Sequence, residues 1–244
     1  MKKKLESICN NYFIFCVYAF FGWIYEVLLI LIREHRFENR GVLFGPFLPI
    51  YGFGVLLLLV VLRKFMSKEH KANNIVYTSL SVFTIVTFTF ITYIEYTMPK
   101  IYDVSIFLKN YGIELLIINL LTIIFVNLLS RKYKSIRDIN FNIILVFLLI
   151  WIITTSLEYV SHFLIDKISG VLLWDYTKDF LNINSRVFFD ASRNFAILGT
   201  TLLYLVEPFI DKFLDKLSFN KKKIICLVIF IPMIIDFIIR VIVK

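Results

Sequence analysis

Four polar side chains recur at every fourth position of one otherwise apolar stretch of the chain. They are Thr154, Glu158, His162 and Asp166. A spacing of four residues places them on one face of a helix over about three turns. Carboxylates and an imidazole on one face can hydrogen-bond a neighbouring helix, contact a substrate or pass a proton. A metal site is the third and least favoured interpretation.

The metal interpretation needs further ligands near that face. The two other histidines, His35 and His70, are predicted on opposite sides of a membrane, so they cannot both complete one cluster. We predict no metal site and no cofactor. Because ionisable groups inside a bilayer are costly unless they pair or line a wet cavity, we expect the polar face to look inward.

A second candidate group lies around the stretch "FENRGVLFGPFLPIYGFG", residues 37–54. Its glycines and prolines interrupt helical backbone, and irregular backbone at membrane depth is tolerated only where protein or water covers it. We therefore expect a broken entry to the next helix that lines a cavity. Arg40, preceded by Asn39, would pair with Glu26 or receive an anionic group. A tight turn held by an arginine–carboxylate pair is the alternative.

A third group lies in the stretch that follows the polar face, at "LWDY" and "NINSR". Trp174 alone would be explained as an anchor at the membrane interface. Asp175 is placed to meet Arg186 across the loop, and Asn182 belongs to the same loop. These residues are predicted to contact a substrate together with Glu158 and His162.

The elements that position these residues are apolar helices. The chain has 244 residues, 59% of them hydrophobic, and a mean hydropathy of +0.79, which is typical of an integral membrane protein. Seven apolar runs predict an all-α, polytopic membrane helix bundle of about seven spans, within one transmembrane domain, residues 1–244. The run 47–62 is short for a span, so the count falls to six if it is re-entrant.

The basic residues predict an orientation in the membrane. The net charge is +9, but lysines and arginines fall between the apolar runs and not along one polar face, which argues against nucleic-acid binding. Alternate connections carry 16 and 11 of them, and the richer set is expected in the cytoplasm. The N-terminus is then cytoplasmic. The acids of the spans fall near the outer surface, where we expect one shared, outward-facing polar chamber.

The two acid-bearing segments form a weak internal repeat. Glu26 and Glu158 each sit near the outer end of a span, and each is followed by a loop that contains asparagine and arginine. The corresponding halves are about 11–62 and 141–210. Their first helices run in the same direction in the predicted topology, so the repeat is parallel.

Several of these segments have the order and composition of a known family. They are "GWIYEV" (22–27), "NRGVLFGPFLPIYGFG" (39–54), "SLEYVS" (156–161), "LWDY" (173–176) and "NINSR" (182–186). At these segments the chain resembles the CmpB-type family of ABC-transporter permeases found in bacteria. The resemblance implies a multi-pass protein of the bacterial cytoplasmic membrane. It places Glu26, Asn39, Arg40, Glu158, Trp174, Asp175, Asn182 and Arg186 at motif positions.

The chain also departs from the family pattern. Ser185 stands where the family usually has glycine, and Asp166 stands where it usually has glutamate. Phe195 and Ala196 replace a usual Trp and Gly. The departures leave open whether the second half handles a different ligand or none.

Three function classes follow, and transport is favoured. The chain has no Gly-rich loop ending in Gly-Lys-Ser/Thr, so an ABC transporter would need a separate ATP-binding subunit. We therefore expect a permease or substrate-binding membrane subunit, with membrane lipids and an ATP-binding subunit as partners. The alternatives are an enzyme acting on a lipid or lipid-linked substrate at the outer leaflet, and a non-catalytic scaffold or sensor. The sequence shows no recognisable arrangement of a nucleophile with its base, which counts against the enzyme alternative.

Overall fold

The structure, a computed structural model, describes residues 2–39, 43–98, 100–170 and 174–242. In those residues the regular elements are all helical, which confirms the all-α prediction. The elements are α1 (Lys2–Glu34), α2 (Pro49–Met66), α3 (Ile75–Thr97), α4 (Val104–Lys132), α5 (Lys134–Arg137), α6 (Asn142–Ser169), α7 (Phe189–Thr201), a π-helical segment (Leu202–Val206), α8 (Glu207–Asp215) and α9 (Phe219–Ile242).

Five of these helices are long and apolar enough to cross a membrane: α1, α2, α3, α4 and α6. The segment whose span was in doubt, Pro49–Met66, is one of the five, and its 18 residues reach about 27 Å. The total of about seven spans stays a prediction, since it requires the α7–α8 region and α9 to cross as well.

The chain forms two compact units. The terminal unit comprises Met1–Val61 and Leu202–Lys244, and α1 packs against α9 within it. The central unit comprises Leu62–Thr201; in it α3 packs against α4 and α6, and α6 packs against α7. The proposed halves, 11–62 and 141–210, stay a prediction from sequence.

In the terminal unit, irregular backbone leads into α2, as the glycines and prolines predict. Residues 43–48 are not helical, and the Leu48 N–H donates to the Ala19 carbonyl of α1 at 2.9 Å. Helix α2 then begins at Pro49, where the missing N–H costs nothing because the first turn has no internal acceptor for it. The Tyr51 ring lies against Gly22 of α1, where a Cβ would clash with it, so the two helices approach closely at this glycine.

In the central unit, short-range signals set where helices end. Helix α6 ends at Gly170, whose φ of +66° is left-handed and whose N–H donates to the Asp166 carbonyl at 2.9 Å. The Asp103 carboxylate caps α4 by accepting from the Ser105 N–H at 2.6 Å. Phe180 and Leu181 of the loop before α7 are buried in a core that includes Ile94 and Phe107. That burial fixes the loop on the helices.

Two glycines of α2 provide a matched test of this packing. A Cβ at Gly52 would lie 2.6 Å from the Phe15 carbonyl oxygen, whereas a Cβ at Gly54 would meet nothing within 4 Å. Gly52→Ala should lower the free energy of unfolding by about 1–3 kcal/mol through overpacking. Gly54→Ala should raise it by about 0.5–1 kcal/mol, because alanine favours helix. Thermal unfolding in detergent measures both, and equal effects would contradict the close approach.

His70 predicts a pH dependence of stability. Its ring is buried, with a centroid 4.0 Å from that of Tyr77, and lies outside the five spans. Burial, with Lys68 nearby, lowers the pKa of His70. Below the ordinary pKa of about 6.5 the unfolded chain binds a proton that the folded ring resists, so stability falls as pH falls.

The measurement is thermal unfolding between pH 7.5 and 5.5. His70→Phe should flatten the decline of the melting temperature, since phenylalanine keeps an aromatic ring but takes up no proton. His35→Asn serves as the control because His35 is exposed, and the decline should persist in it. A decline of equal slope in the His70 variant would contradict the assignment.

Candidate functional site

The polar face of α6 lies against one loop of the central unit. We call residues 174–188 the loop segment. His162 Nε2 lies 3.0 Å from the Trp174 carbonyl oxygen, and Arg186 donates to Asp166 at 2.9 Å. Asn184 donates to the Tyr159 hydroxyl at 2.8 Å. The other member of the face, Thr154, bonds the Ile150 carbonyl of its own helix. The loop segment therefore covers the C-terminal part of the polar face.

Asn182 holds the loop segment in position. Its side chain is buried, donates to the Tyr102 carbonyl at 2.7 Å and accepts from the Ser185 N–H at 3.1 Å. Its backbone N–H donates to the same Tyr102 carbonyl at 2.6 Å, and its carbonyl accepts from Val104. Since backbone groups occupy both ends of the amide, the contacts favour a positioning role. Substrate contact by Asn182 stays a prediction.

Trp174 and Asp175 stabilise the loop segment from within. The Trp174 indole N–H donates to the Arg186 carbonyl at 2.8 Å. The Asp175 carboxylate accepts from the Thr177 N–H at 2.9 Å and from its hydroxyl. Those bonds lower the pKa of Asp175, so this exposed carboxylate is ionised near neutral pH. Asp175 was predicted to contact Arg186, but Arg186 forms its ion pair with Asp166 of α6 instead.

Three residues of this network each leave a buried polar atom without a hydrogen-bond partner: Glu158 Oε2, His162 Nδ1 and Arg186 Nε. Glu158 also accepts from the Tyr176 hydroxyl. A carbonyl can only accept, so His162 Nε2 carries the hydrogen that meets the Trp174 carbonyl. The Nδ1 of a neutral His162 ring then has a free lone pair, on a side chain that is 2% exposed.

Aromatic rings surround the polar atoms. The Arg186 guanidinium lies over the rings of Tyr159 and Phe163, at 5.7 and 5.6 Å from their centroids. The Trp174 ring centroid is 4.9 Å from that of His162 and 6.2 Å from that of Tyr176. Ring faces of this kind attract cations, and here one protein cation already occupies two of them.

The predicted residues of the terminal unit form a separate network. Glu26 accepts from the Tyr51 hydroxyl at 2.5 Å. The Trp23 indole N–H donates to Asn39 Oδ1 at 2.6 Å, and Asn39 donates to the Phe44 carbonyl at 2.9 Å. Asn39 therefore ties the irregular segment to α1. Arg40 lies outside the described residues, so its predicted pairing with Glu26 stays a prediction.

Asp236 is a site residue that the sequence reasoning missed. Its spacing from Arg240 favours a pair within α9, but its carboxylate accepts from the backbone N–H groups of Phe44 and Gly45, at 3.0 and 2.7 Å. The Arg240 guanidinium lies 4.9 Å from the centroid of the Phe44 ring. Gly45 is the residue in the sequence that could have indicated this contact, because a Cβ at position 45 would lie only 3.1 Å from the Asp236 carboxylate.

The shared outward chamber stays a prediction, because Glu26 belongs to the terminal unit and Glu158 to the central unit. The central unit also contains an apolar cavity of about 570 Å³ between α3, α6 and α7. Its described lining includes Thr84, Phe147 and Arg193, and none of the predicted substrate contacts Glu158, His162 and Arg186. Arg193 forms ion pairs with Glu95, at 2.9 Å, and with Asp190.

Within residues 2–39, 43–98, 100–170 and 174–242, no group of three or more His, Cys, Asp and Glu side chains is placed to hold a metal ion.

The chain is an all-helical, multi-pass membrane protein with hydrogen-bonding residues gathered beside its membrane helices. It belongs to the family described as "Putative ABC-transporter type IV", whose model matches residues 13–109 and 104–241. Comparisons with curated proteins and with solved structures gave no match.

Ser185 provides a test of how the loop segment is built. Its φ is +59°, a left-handed conformation that costs a residue with a side chain about 1–2 kcal/mol. Ser185→Gly should therefore raise the free energy of unfolding by about 1 kcal/mol relative to Ser185→Ala. Both variants lose the bond from Thr177 to the Ser185 hydroxyl, so their difference isolates the backbone. If the glycine variant melts no higher than the alanine variant, the backbone assignment is wrong.

Proposed function

We propose that the chain is the membrane-spanning component of a transporter, and that its central unit holds a polar solute between α6 and the loop segment. The observation that carries the proposal is the set of buried, unpartnered atoms on Glu158, His162 and Arg186. Leaving such an atom without a partner costs about 1–3 kcal/mol. A solute that supplies the missing hydrogen bonds would recover that cost on binding.

The family supports transport, and the sequence motif supports ATP hydrolysis by a separate chain. Its description names an ABC transporter, yet this sequence lacks a Gly-rich loop ending in Gly-Lys-Ser/Thr. A separate ATP-binding subunit would therefore drive the cycle. We further propose the cytoplasmic membrane of a bacterium, a cytoplasmic N-terminus, and lipid around the exposed apolar side chains.

The predicted residues divide by role in this proposal. Glu158, His162 and Arg186 contact the solute, and Trp174 adds an aromatic wall. Asp175 and Asn182 hold the loop segment, because their oxygens accept from Thr177 and from Ser185. In the terminal unit, Glu26 and Asn39, with Arg40 beside them in sequence, are proposed to serve a second polar contact region.

Glu158→Gln is the decisive variant. The gene is deleted from the cells that naturally carry it, and the deletion strain is complemented with wild type, Glu158→Gln or Glu69→Gln. Mass spectrometry then compares the small solutes and lipids of the strains. We expect wild type and Glu69→Gln to restore the level of one solute, and Glu158→Gln to leave that level as it is in the deletion strain. The three proteins should be equally abundant in the membrane. Glu69 is the matched control, since its carboxylate is exposed and paired with Lys71 at 3.4 Å.

The same extracts separate the alternatives. A lipid-acting enzyme would change the lipid profile and leave the solute pools as in wild type. A scaffold or sensor would restore both profiles regardless of the side chain at residue 158. Either result would remove the transport proposal.

A further inference from the structure

We infer that the solute held by the central unit carries a protonated amine. The inference rests on the proposed function and names its substrate class. Three features of the α6 network lead to it: two unpartnered acceptors on one helix face, an unbalanced carboxylate, and aromatic rings next to both.

The two acceptors are Glu158 Oε2 and His162 Nδ1. They belong to residues four apart in α6, which lie on the same face one turn from each other. When Glu158 is ionised and His162 is neutral, both atoms accept, because the Tyr176 hydroxyl donates to Glu158 and the only ring hydrogen of His162 meets the Trp174 carbonyl. A primary ammonium has three hydrogens to donate and no lone pair, so it complements this pair where a carboxylate or phosphate would not.

The charges of the network favour a cation. Arg186 is the basic group packed on this face, and its charge is balanced by Asp166 at 2.9 Å. Asp175, whose carboxylate is ionised, adds negative charge on the loop segment. Lys167 and Lys178 are exposed to solvent, so salt screens their positive charges. An ionised Glu158 carboxylate is thus the unbalanced group of the buried network, and an ammonium would balance it.

The aromatic rings add to that preference. Trp174 lies beside His162, and the Tyr176 ring centroid is 4.5 Å from that of Phe188. Cations bind favourably over such rings, especially where water is excluded. The free Arg186 Nε also offers one donor, which suits a hydroxyl or carboxylate oxygen on the same solute. The ligand class is therefore a small solute with an ammonium and an oxygen acceptor.

The test is equilibrium binding to the purified full-length protein in detergent, with ethanolamine as the probe. Isothermal titration at pH 7.5 and constant ionic strength compares ethanolamine with ethylene glycol, which lacks the amine, and with choline, whose nitrogen has no hydrogen. We expect ethanolamine to bind and ethylene glycol not to bind. Choline should bind at least about fivefold more weakly, because it satisfies neither acceptor.

Glu158→Gln should weaken ethanolamine binding about tenfold or more, and Glu69→Gln should leave it unchanged. If Glu158→Gln does not fold, Glu158→Asp tests the same point, because it keeps the charge but withdraws the carboxylate by one methylene. The inference is overturned if ethanolamine does not bind wild type at 10 mM. Equal binding of ethylene glycol, or undiminished binding to a folded residue-158 variant, would overturn it as well.

The result is separable from that of the transport experiment. Amine binding that depends on Glu158, without any solute pool that depends on it, would keep the inference and remove the proposed function. A solute pool that depends on Glu158, without amine binding, would do the reverse.

Discussion

The structure depends on the partners that its polar groups find inside the protein, because the hydrocarbon core of a membrane offers them no water. Threonines in the spans meet this demand locally, as when Thr84 donates to the Leu80 carbonyl at 2.7 Å. Larger groups need another segment: Asn119 donates to Thr87 at 3.2 Å. Buried atoms that lack such a partner are therefore informative, and three of them fall in one network on α6.

The loop segment shows how irregular backbone satisfies the same demand. Apolar anchors come first, since Phe180 and Leu181 are buried against α3 and α4. Backbone pairing with residues 101–104 and the amide of Asn182 then absorb the polar groups of the turn. Leu181, Asn184 and Ser185 accept left-handed backbone to make that geometry possible. A loop held at so many points can present Trp174 and Arg186 to α6 in one orientation.

Periodicity and composition were sufficient to predict the all-α membrane fold, the polar face of α6 and the break before α2, because each depends on residues close in sequence. Contacts between distant residues were not predictable in this way. Asp236 bonds the backbone of Phe44, 192 residues away, although its nearest charged neighbour on α9 is Arg240. The sequence likewise favoured Asp175 as the partner of Arg186, whereas the fold pairs Arg186 with Asp166 of α6.

The parallel internal repeat stays a prediction, but the two units share one local contact. Each unit has a carboxylate on its membrane helix that accepts from a tyrosine of the following segment: Glu26 from Tyr51, and Glu158 from Tyr176. The supporting contacts differ, since Asp236 of a distant helix holds one segment and Asn182 holds the other from within. The carboxylate–tyrosine pair is thus common to the two units, whereas the segments around it are held by different contacts. The unpartnered Glu158 oxygen therefore lies in the element that the two units have in common.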